Sequence, residues 1–524
     1  MTPVATGMAL ARRSLLAHVD TVDLPAVQKS FCSFLDAVAT ATGRATAYNT
    51  WQEQEEAEFT LHKSMFKVDR GVYGLTLLLP GVLDRAKQTG IGLLLNNQQD
   101  GTGLLLPEEE SKLVSALIRQ MPPQRIFKMF VELREQRVNN SRTRKIILRT
   151  ILGTELGLLE YWAVRYRSKI RMSLGHAWGK KLTGIIKHIL AKIRSINRAT
   201  DKECNILGNS IFRYASINGT DAGKLYDIVS FILGNDVKKA HLELISKFYA
   251  AHEDFDAGKG LPMEVLEGIR STFHKDVKQK AVLEASKKTL SKGQRLNVQK
   301  KAKAEGVRVE VALEDYDAVK LYIYAYETGL TKKVKDALFI KAEEAATALP
   351  VSYVKTAVIV DTSASMFGHK TQKLRPMAVA LAMRDMIKQA SEECVVFDKN
   401  VGDGKLPQPS GDTSLACDLI GAVKQKPEAI FVLTDGYENA PAGRFNEVVH
   451  RLREIGVDTP IYQMSPVLGA EAGAIRVLSD KITAMPVSSP NGLGMAMLRG
   501  AMEQDTKQGL KALVKMTSKA LGAK

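Results

Sequence analysis

The apolar run from Tyr353 to Val360 ends abruptly on an aspartate, and Asp361-Thr362-Ser363-Ala364-Ser365-Met366 follows at once. A short β-branched run of this kind reads as a buried parallel strand. Similar runs recur at 394–397, 429–434, 460–464 and 482–485. Helical patterns lie between them at 373–390, 415–424, 444–455 and 470–478, and two more follow at 492–503 and 507–521. Strands alternating with helices predict a doubly wound α/β sheet over residues 351–524. Ligands of such sheets bind at the carboxyl ends of the strands, which is where Asp361 falls.

Two further elements follow in order. Gly411-Asp412-Thr413 precedes a helix, and Thr434-Asp435-Gly436 ends the strand at 429–434. Together they offer only oxygen donors. Ser363, Ser365 and Thr413 supply hydroxyls, and Asp361 and Asp435 supply charge, directly or through water. Such a set suits a hard divalent cation, and Mg²⁺ in particular, which prefers six oxygens and keeps several waters. An open coordination position would accept a ligand carboxylate or phosphate.

This order of elements resembles the metal-ion-dependent adhesion site of von Willebrand factor A-type (vWA) domains, a Rossmann-like fold, over roughly residues 351–524. The resemblance implies that Ser363, Ser365 and Thr413 are direct ligands and that Asp361 and Asp435 coordinate mostly through water. Asp412 is a departure, because many family members carry glycine there. Its carboxylate either strengthens the cation site or repels an acidic ligand.

Upstream, residues 109–348 read as helix after helix. Ile126, Met129, Phe130 and Leu133 recur at helical spacing, as do Leu182, Ile185, Ile186, Ile189, Leu190 and Ile193. Short Gly, Asn or Pro breaks separate the segments. Helices with short connections predict stacked antiparallel pairs of the HEAT type, although no clean sequence repeat is present. Residues 1–108 also read as mainly helical, and the glycine-rich stretch 71–103 reads as an irregular loop or a short hairpin. The expectation is a multidomain chain: an all-α helical-repeat module over 1–350, then an α/β domain over 351–524.

Charge is unevenly spread. The chain holds 74 Lys+Arg against 57 Asp+Glu, a net +17. Residues 101–200 alone hold 20 basic against 7 acidic, and 270–303 hold 11 against 2. Such stretches favour polyanions. On the helix that begins at Lys180, apolar residues form one stripe, and Lys180, Lys181, Lys187, His188, Lys192, Arg194 and Arg198 lie opposite. Upstream stand Arg165, Arg167, Lys169 and Arg171, among Tyr161, Trp162, Tyr166 and Trp178. Cations bind phosphates and aromatic rings stack on unpaired bases. RNA suits this face better than DNA, since no helix-turn-helix or zinc-finger signature is present. The competing reading of each residue is a solvated helix face with its aromatics in the core. The Lys-rich stretch 278–303 has no aromatics and is the weaker candidate.

A basic helical module followed directly by a vWA-like domain resembles the Ro autoantigen family, whose helical part is called the TROVE module. The segment from Arg171 to His188, RMSLGHAWGKKLTGIIKH, carries a local likeness. Trp178, Lys180 or Lys181, Ile185 and His188 keep the family's spacing. The resemblance implies a monomeric ring, in which the helical repeats curve round and the vWA-like domain helps close it. Y RNA, a structured noncoding RNA, would bind on the outside through residues including Arg171 and His188, with His176 adjacent. Single-stranded 3′ ends of misfolded RNAs would enter the hole, for RNA quality control, and an exoribonuclease such as polynucleotide phosphorylase would be a partner. The family's second basic position falls on Gly175, which departs from the pattern.

The other reading is a vWA adaptor whose metal site grips a protein partner, such as an AAA+ ATPase. An enzyme is not expected, because the chain shows no P-loop, no GxGxxG after a strand and no placeable Ser/His/Asp set. Cys32, Cys204, Cys394 and Cys417 are scattered without metal-ligand spacing and read as reduced thiols. Arg12 and Arg13 interrupt the apolar stretch near the N-terminus, so no signal peptide is expected, and no run is long enough to span a bilayer. The expectation is a cytoplasmic protein.

Overall fold

The structure is a computed structural model. It describes residues 19, 22–40, 50–96, 107–215, 221–237, 242–347, 349, 352–368, 373–398, 406–438, 441–466, 475–518 and 520–521. The chain is mostly helical with one small parallel sheet. It divides into two compact units. One takes residues 1–94, 99–117 and 313–524, and the other takes 95–98 and 118–312. Residues 1–94, 99–117 and 313–350 thus group with the α/β region. No helix among the described residues is long and apolar enough to cross a membrane.

The sheet has five parallel strands: β1 (Tyr353–Val360), β2 (Ser391–Asp398), β3 (Ala429–Leu433), β4 (Ile461–Pro466) and β5 (Thr483–Val487). Their order is β2-β1-β3-β4-β5, a doubly wound order whose direction reverses between β1 and β3. Alternation along the strands builds the core. Ala357 and Ile359 on β1, Ile430 and Val432 on β3 and Ile461 on β4 pack with Leu415, Leu419, Phe445 and Val449 from the helices Leu415–Lys424 and Arg444–Glu454. The helices Arg375–Gln389 and Gly492–Gln504 also pack on the sheet.

Helices from earlier in the chain complete this unit. Leu24–Thr40 packs on Gly492–Gln504 and β5, and Arg70–Leu77 packs on Thr506–Ser518. Ala318–Thr328 and Lys332–Ala346 pack on Arg375–Gln389. A buried polar network ties the first of these down, with the Tyr322 hydroxyl on Asp385 and the Tyr326 hydroxyl donating to the Pro407 carbonyl at 2.6 Å.

Two local expectations are corrected. The glycine-rich stretch is no hairpin: its described part forms the helices Arg70–Leu77 and Asp84–Asn96, and Gly101 and Gly103 lie outside the described residues. The glycines serve close helix packing. A Cβ at Gly74 would sit 2.2 Å from Leu113 Cδ2, and one at Gly90 2.1 Å from Leu77 Cδ1. The helix expected at 470–478 is absent over its described part, 475–478, while 470–474 lie outside the described residues. That segment is held as irregular backbone by a buried glutamine, described below.

Among its described residues the second unit holds helices and no strand, and it is organised around Leu156–Trp178. Pro123–Glu135, Ser141–Leu152, Lys180–Ile196, Ala222–Leu233, Glu243–Ala250 and Met263–Phe273 all pack on this helix. Its buried side chains Leu159, Ala163, Ile170 and Leu174 are fully enclosed. It kinks at Tyr166, where φ is −122° and ψ 23°. Its buried acid, Glu160, accepts hydrogen bonds from the Leu244 and Ile245 N–H groups, at 2.6 and 2.9 Å. A carboxylate there satisfies the orphan donors that open the helix Glu243–Ala250 and complements its dipole. The Lys-rich stretch 278–303 is divided among the short helices Gln279–Ser286, Lys292–Asn297 and Gln299–Ala304, which share a small core of Leu283, Leu290, Val298 and Ala302.

Candidate metal centre and nucleic-acid interface

Asp361, Thr434 and Asp435 follow β1 and β3 directly, at the reversal of strand order. Asp361 is fully buried, and both its carboxylate oxygens are engaged. Oδ1 accepts from the Ser363 N–H at 2.9 Å, and Oδ2 accepts from the Thr434 hydroxyl at 2.7 Å. Asp361 thereby ties the two loops together. The Ser363 and Ser365 hydroxyls lie 2.9 Å apart. Thr413 is brought in by the Thr362 N–H, which donates to its Oγ1 at 3.3 Å. The loop before Thr413 is fixed by the Ser410 N–H on the Thr362 carbonyl, and by the Ala364 N–H on the Gly411 carbonyl. Asp412 is exposed.

Asp435 is half-buried. Burial pushes its carboxyl above the ordinary 3.8, against hydrogen bonds from Ser365 and the Tyr437 N–H that lower it, and the nearby Asp361 raises it further. No described lysine or arginine forms an ion pair with Asp361 or Asp435. Two adjacent, poorly solvated carboxylates without a cation are costly. A divalent cation held by Ser363, Ser365, Thr413 and the two acids would neutralise them, so the donor set fits the metal that the sequence calls for. No group of three or more His, Cys, Asp or Glu placed to hold a metal ion occurs among the described residues, and this hydroxyl-rich set differs in kind from a thiolate or imidazole site.

In the other unit, the expected RNA-binding residues separate into two groups. The first is engaged in structure. Arg165 donates to the Tyr161 hydroxyl at 2.7 Å and pairs with Glu264 at 2.5 Å. Arg167 donates to the Phe231 carbonyl at 2.7 Å and lies 3.9 Å above the Phe231 ring, where burial lowers its pKa. Trp178 donates to the Ser210 carbonyl at 3.2 Å, and His176 Nε2 lies 2.9 Å from the Val138 carbonyl. Lys192 pairs with Glu203 at 2.9 Å and Arg194 with Asp227. Ile185, expected in the apolar stripe, lies at its exposed edge.

The second group is Arg171, Lys180, Lys181, Lys187 and His188, all exposed, with the half-buried Lys169 beside them. Arg171 and Lys187 converge on Gly234, the left-handed C-cap of Ala222–Leu233, where their side-chain nitrogens come within 3.8 and 4.0 Å of an added Cβ. Cations are favoured at that end of a helix.

Arg171 and Lys180 also line a shallow depression of about 490 Å³ with Arg134, Asn139, Met172, Gly175, His176, Gly179 and Thr183. No acid lines it. The helix Lys180–Ile196 begins here at Gly179, with φ +79° and no side-chain cap, so its first N–H groups are available to an anion. Gly175 leaves the depression open, since a Cβ there would meet nothing within 4 Å. Arg134 and Asn139 were not singled out by sequence. Nothing in the linear pattern links the end of Pro123–Glu135 to a segment some forty residues on.

Compared with known protein families, the chain matches none, and no curated protein matches it.

Proposed function

We propose that this chain is an RNA-binding protein, not an enzyme, in which a basic helical module of the Ro type binds structured RNA and a vWA-type α/β region carries a divalent cation, Mg²⁺. The observation that carries the reading is the exposed set Arg171, Lys180, Lys181, Lys187 and His188 beside a depression lined by Arg134 and lacking any acid. Phosphates are the ligands that such a surface fits, and its exposed cations set its salt dependence. Engagement of Arg165, Arg167, His176 and Trp178 in packing leaves Arg171, Lys180, Lys181, Lys187 and His188 to form the RNA face.

Sequencing of RNA crosslinked to the full chain in its native cell tests this reading. One abundant structured noncoding RNA with assorted 3′ ends is expected. Background RNA only, with an ATPase co-purifying, would replace the reading by the adaptor one.

A further inference from the structure

The face of the metal loops carries a second cation. Gly436, directly after Asp435, has φ +85°, and a Cβ there would lie 2.3 Å from the Arg476 carbonyl oxygen. The backbone at Arg476 therefore presses against the loop that holds Asp435. Its position is fixed from beneath by Gln463 on β4, which is fully buried. Gln463 Nε2 donates to the Arg476 carbonyl at 2.6 Å and to Ser465 Oγ at 3.0 Å, and its Oε1 accepts from the Leu478 N–H at 2.8 Å. A side-chain amide thus takes the place of a strand neighbour and clamps 476–478 beside the site.

The consequence is seen at the surface. The Arg476 guanidinium stacks 3.5 Å above the Tyr437 ring and forms no ion pair with a described residue. Stacking leaves the edge of the guanidinium, with its fork of N–H donors, open to a carboxylate. Tyr437 is 41% exposed, Val477 52% and Phe367, two residues beyond Ser365, 42%. Val477 follows Arg476 in the chain and Phe367 follows the metal-loop Ser365, so these exposed apolar side chains come from the same segments as the stacked cation and the metal ligands. A phosphodiester strand asks for several cations, and Arg476 supplies one. An acidic peptide with apolar neighbours matches both features.

We propose that the stacked Arg476–Tyr437 pair, with Phe367 and Val477, forms a docking rim for a partner protein segment that places one carboxylate on the metal and a second on Arg476, with apolar side chains beside them. This rests on the divalent-cation reading of Asp361, Ser363, Ser365, Thr413 and Asp435.

The test uses the full chain and a fluorescein-labelled Glu-Leu-Asp-Leu peptide, with labelled oligouridylate as the competing probe, in Mg²⁺ and in EDTA. Peptide binding that needs Mg²⁺ is expected. Arg476→Gln should weaken it about tenfold, the loss of one charge-assisted pair, with Mg²⁺ affinity unchanged by calorimetry. Arg476→Lys should recover only part of the loss, because a lysine neither stacks flat nor binds through two parallel donors. Intact Mg²⁺ binding with no peptide binding, or with Arg476→Gln at wild-type affinity, overturns this inference alone. Absence of Mg²⁺ binding overturns it together with the metal reading. Oligouridylate bound through Arg476 and Mg²⁺ would assign the rim to nucleic acid instead.

Discussion

Arg499 Nη1 lies 2.8 Å from each carboxylate oxygen of Asp36, joining the helix Leu24–Thr40 to Gly492–Gln504 across 463 positions of sequence. Glu503 holds the Nε of the same arginine at 3.0 Å, and Gln28 donates to the Met502 and Glu503 carbonyls. Asp36→Ala would leave a largely buried guanidinium with Glu503 alone. A loss of about 2 kcal/mol is expected, between that of an exposed pair and a fully buried one, and urea denaturation measures it. An unchanged midpoint would detach the first helix from the stability of the α/β region.

Two buried groups in this unit give opposite pH dependences. Burial pushes the Asp36 carboxyl up to about 6 from 3.8, despite the arginine beside it. The folded chain then holds this proton more tightly, so the contribution is full below 3.8 and is lost as pH rises through about 6. His62 is buried against Phe34 with its Nδ1 2.8 Å from the Tyr73 hydroxyl, and burial holds it down at about 3 against an ordinary 6.5. Its contribution is full above 6.5 and is lost as pH falls toward 3. His62→Gln removes the second effect alone, so its urea midpoint should fall less than the wild type's on acidification from neutral pH. Parallel curves would show that His62 is not held neutral.

Gly436→Ala meets the backbone oxygen of Arg476, which has no flexible end to move aside, at a positive φ that disfavours a side chain. Overpacking and backbone strain together should cost about 2–4 kcal/mol. Mg²⁺ affinity should fall with it, because the Gly436 N–H donates to Thr434 Oγ1, the hydroxyl that holds Asp361. Thermal melts with and without Mg²⁺ read both effects.

Asp361→Ala removes the acceptor of the Ser363 N–H and the Thr434 hydroxyl. Loss of Mg²⁺ binding by calorimetry is expected, with RNA affinity retained. Loss of RNA binding in a folded variant would show that the two sites are coupled.

Gly175→Arg adds a cation where a Cβ meets open space, inside a helix where glycine is unfavourable by about 1 kcal/mol. RNA binding should tighten, and the slope of log affinity against log salt should steepen by about 0.7–0.9. Replacing Lys180, Lys181, Lys187 and His188 together with Ala should flatten that slope by about two to three. A slope unmoved by either change removes this face from the RNA reading.

Every expected strand is present, because Ala357, Ile359, Ile430 and Val432 alternate inward along runs too short and too branched for helices. The meeting of Asp361, Ser363, Ser365, Thr413 and Thr434 was legible for a related reason: three loops at neighbouring strand ends carry them, and strand order brings these loops together. The glycines at 74 and 90 misled because spacing does not separate a glycine that bends the chain from one that admits a neighbouring leucine. Among the cations, Arg165 and Lys180 look alike in sequence. What separates them is Glu264, 99 positions away, and no local pattern shows that it meets Arg165. Arg476 was invisible because its role depends on Gln463, a polar residue inside an apolar strand, folding its amide onto a segment that reads as helix.

The unit built from residues 1–94, 99–117 and 313–524 interrupts itself with the 118–312 unit. On a ribosome this fixes an order of events. The helix Leu24–Thr40 emerges with Phe31, Phe34 and Leu35 facing no completed core, and the arginine that will hold its Asp36 is 463 residues away. At about 5–20 residues per second, that wait is on the order of half a minute to a minute and a half. The interrupting helices can finish folding during it. The nascent chain therefore needs either a chaperone to shield this helix or a slow docking step that waits until Arg499 has been made.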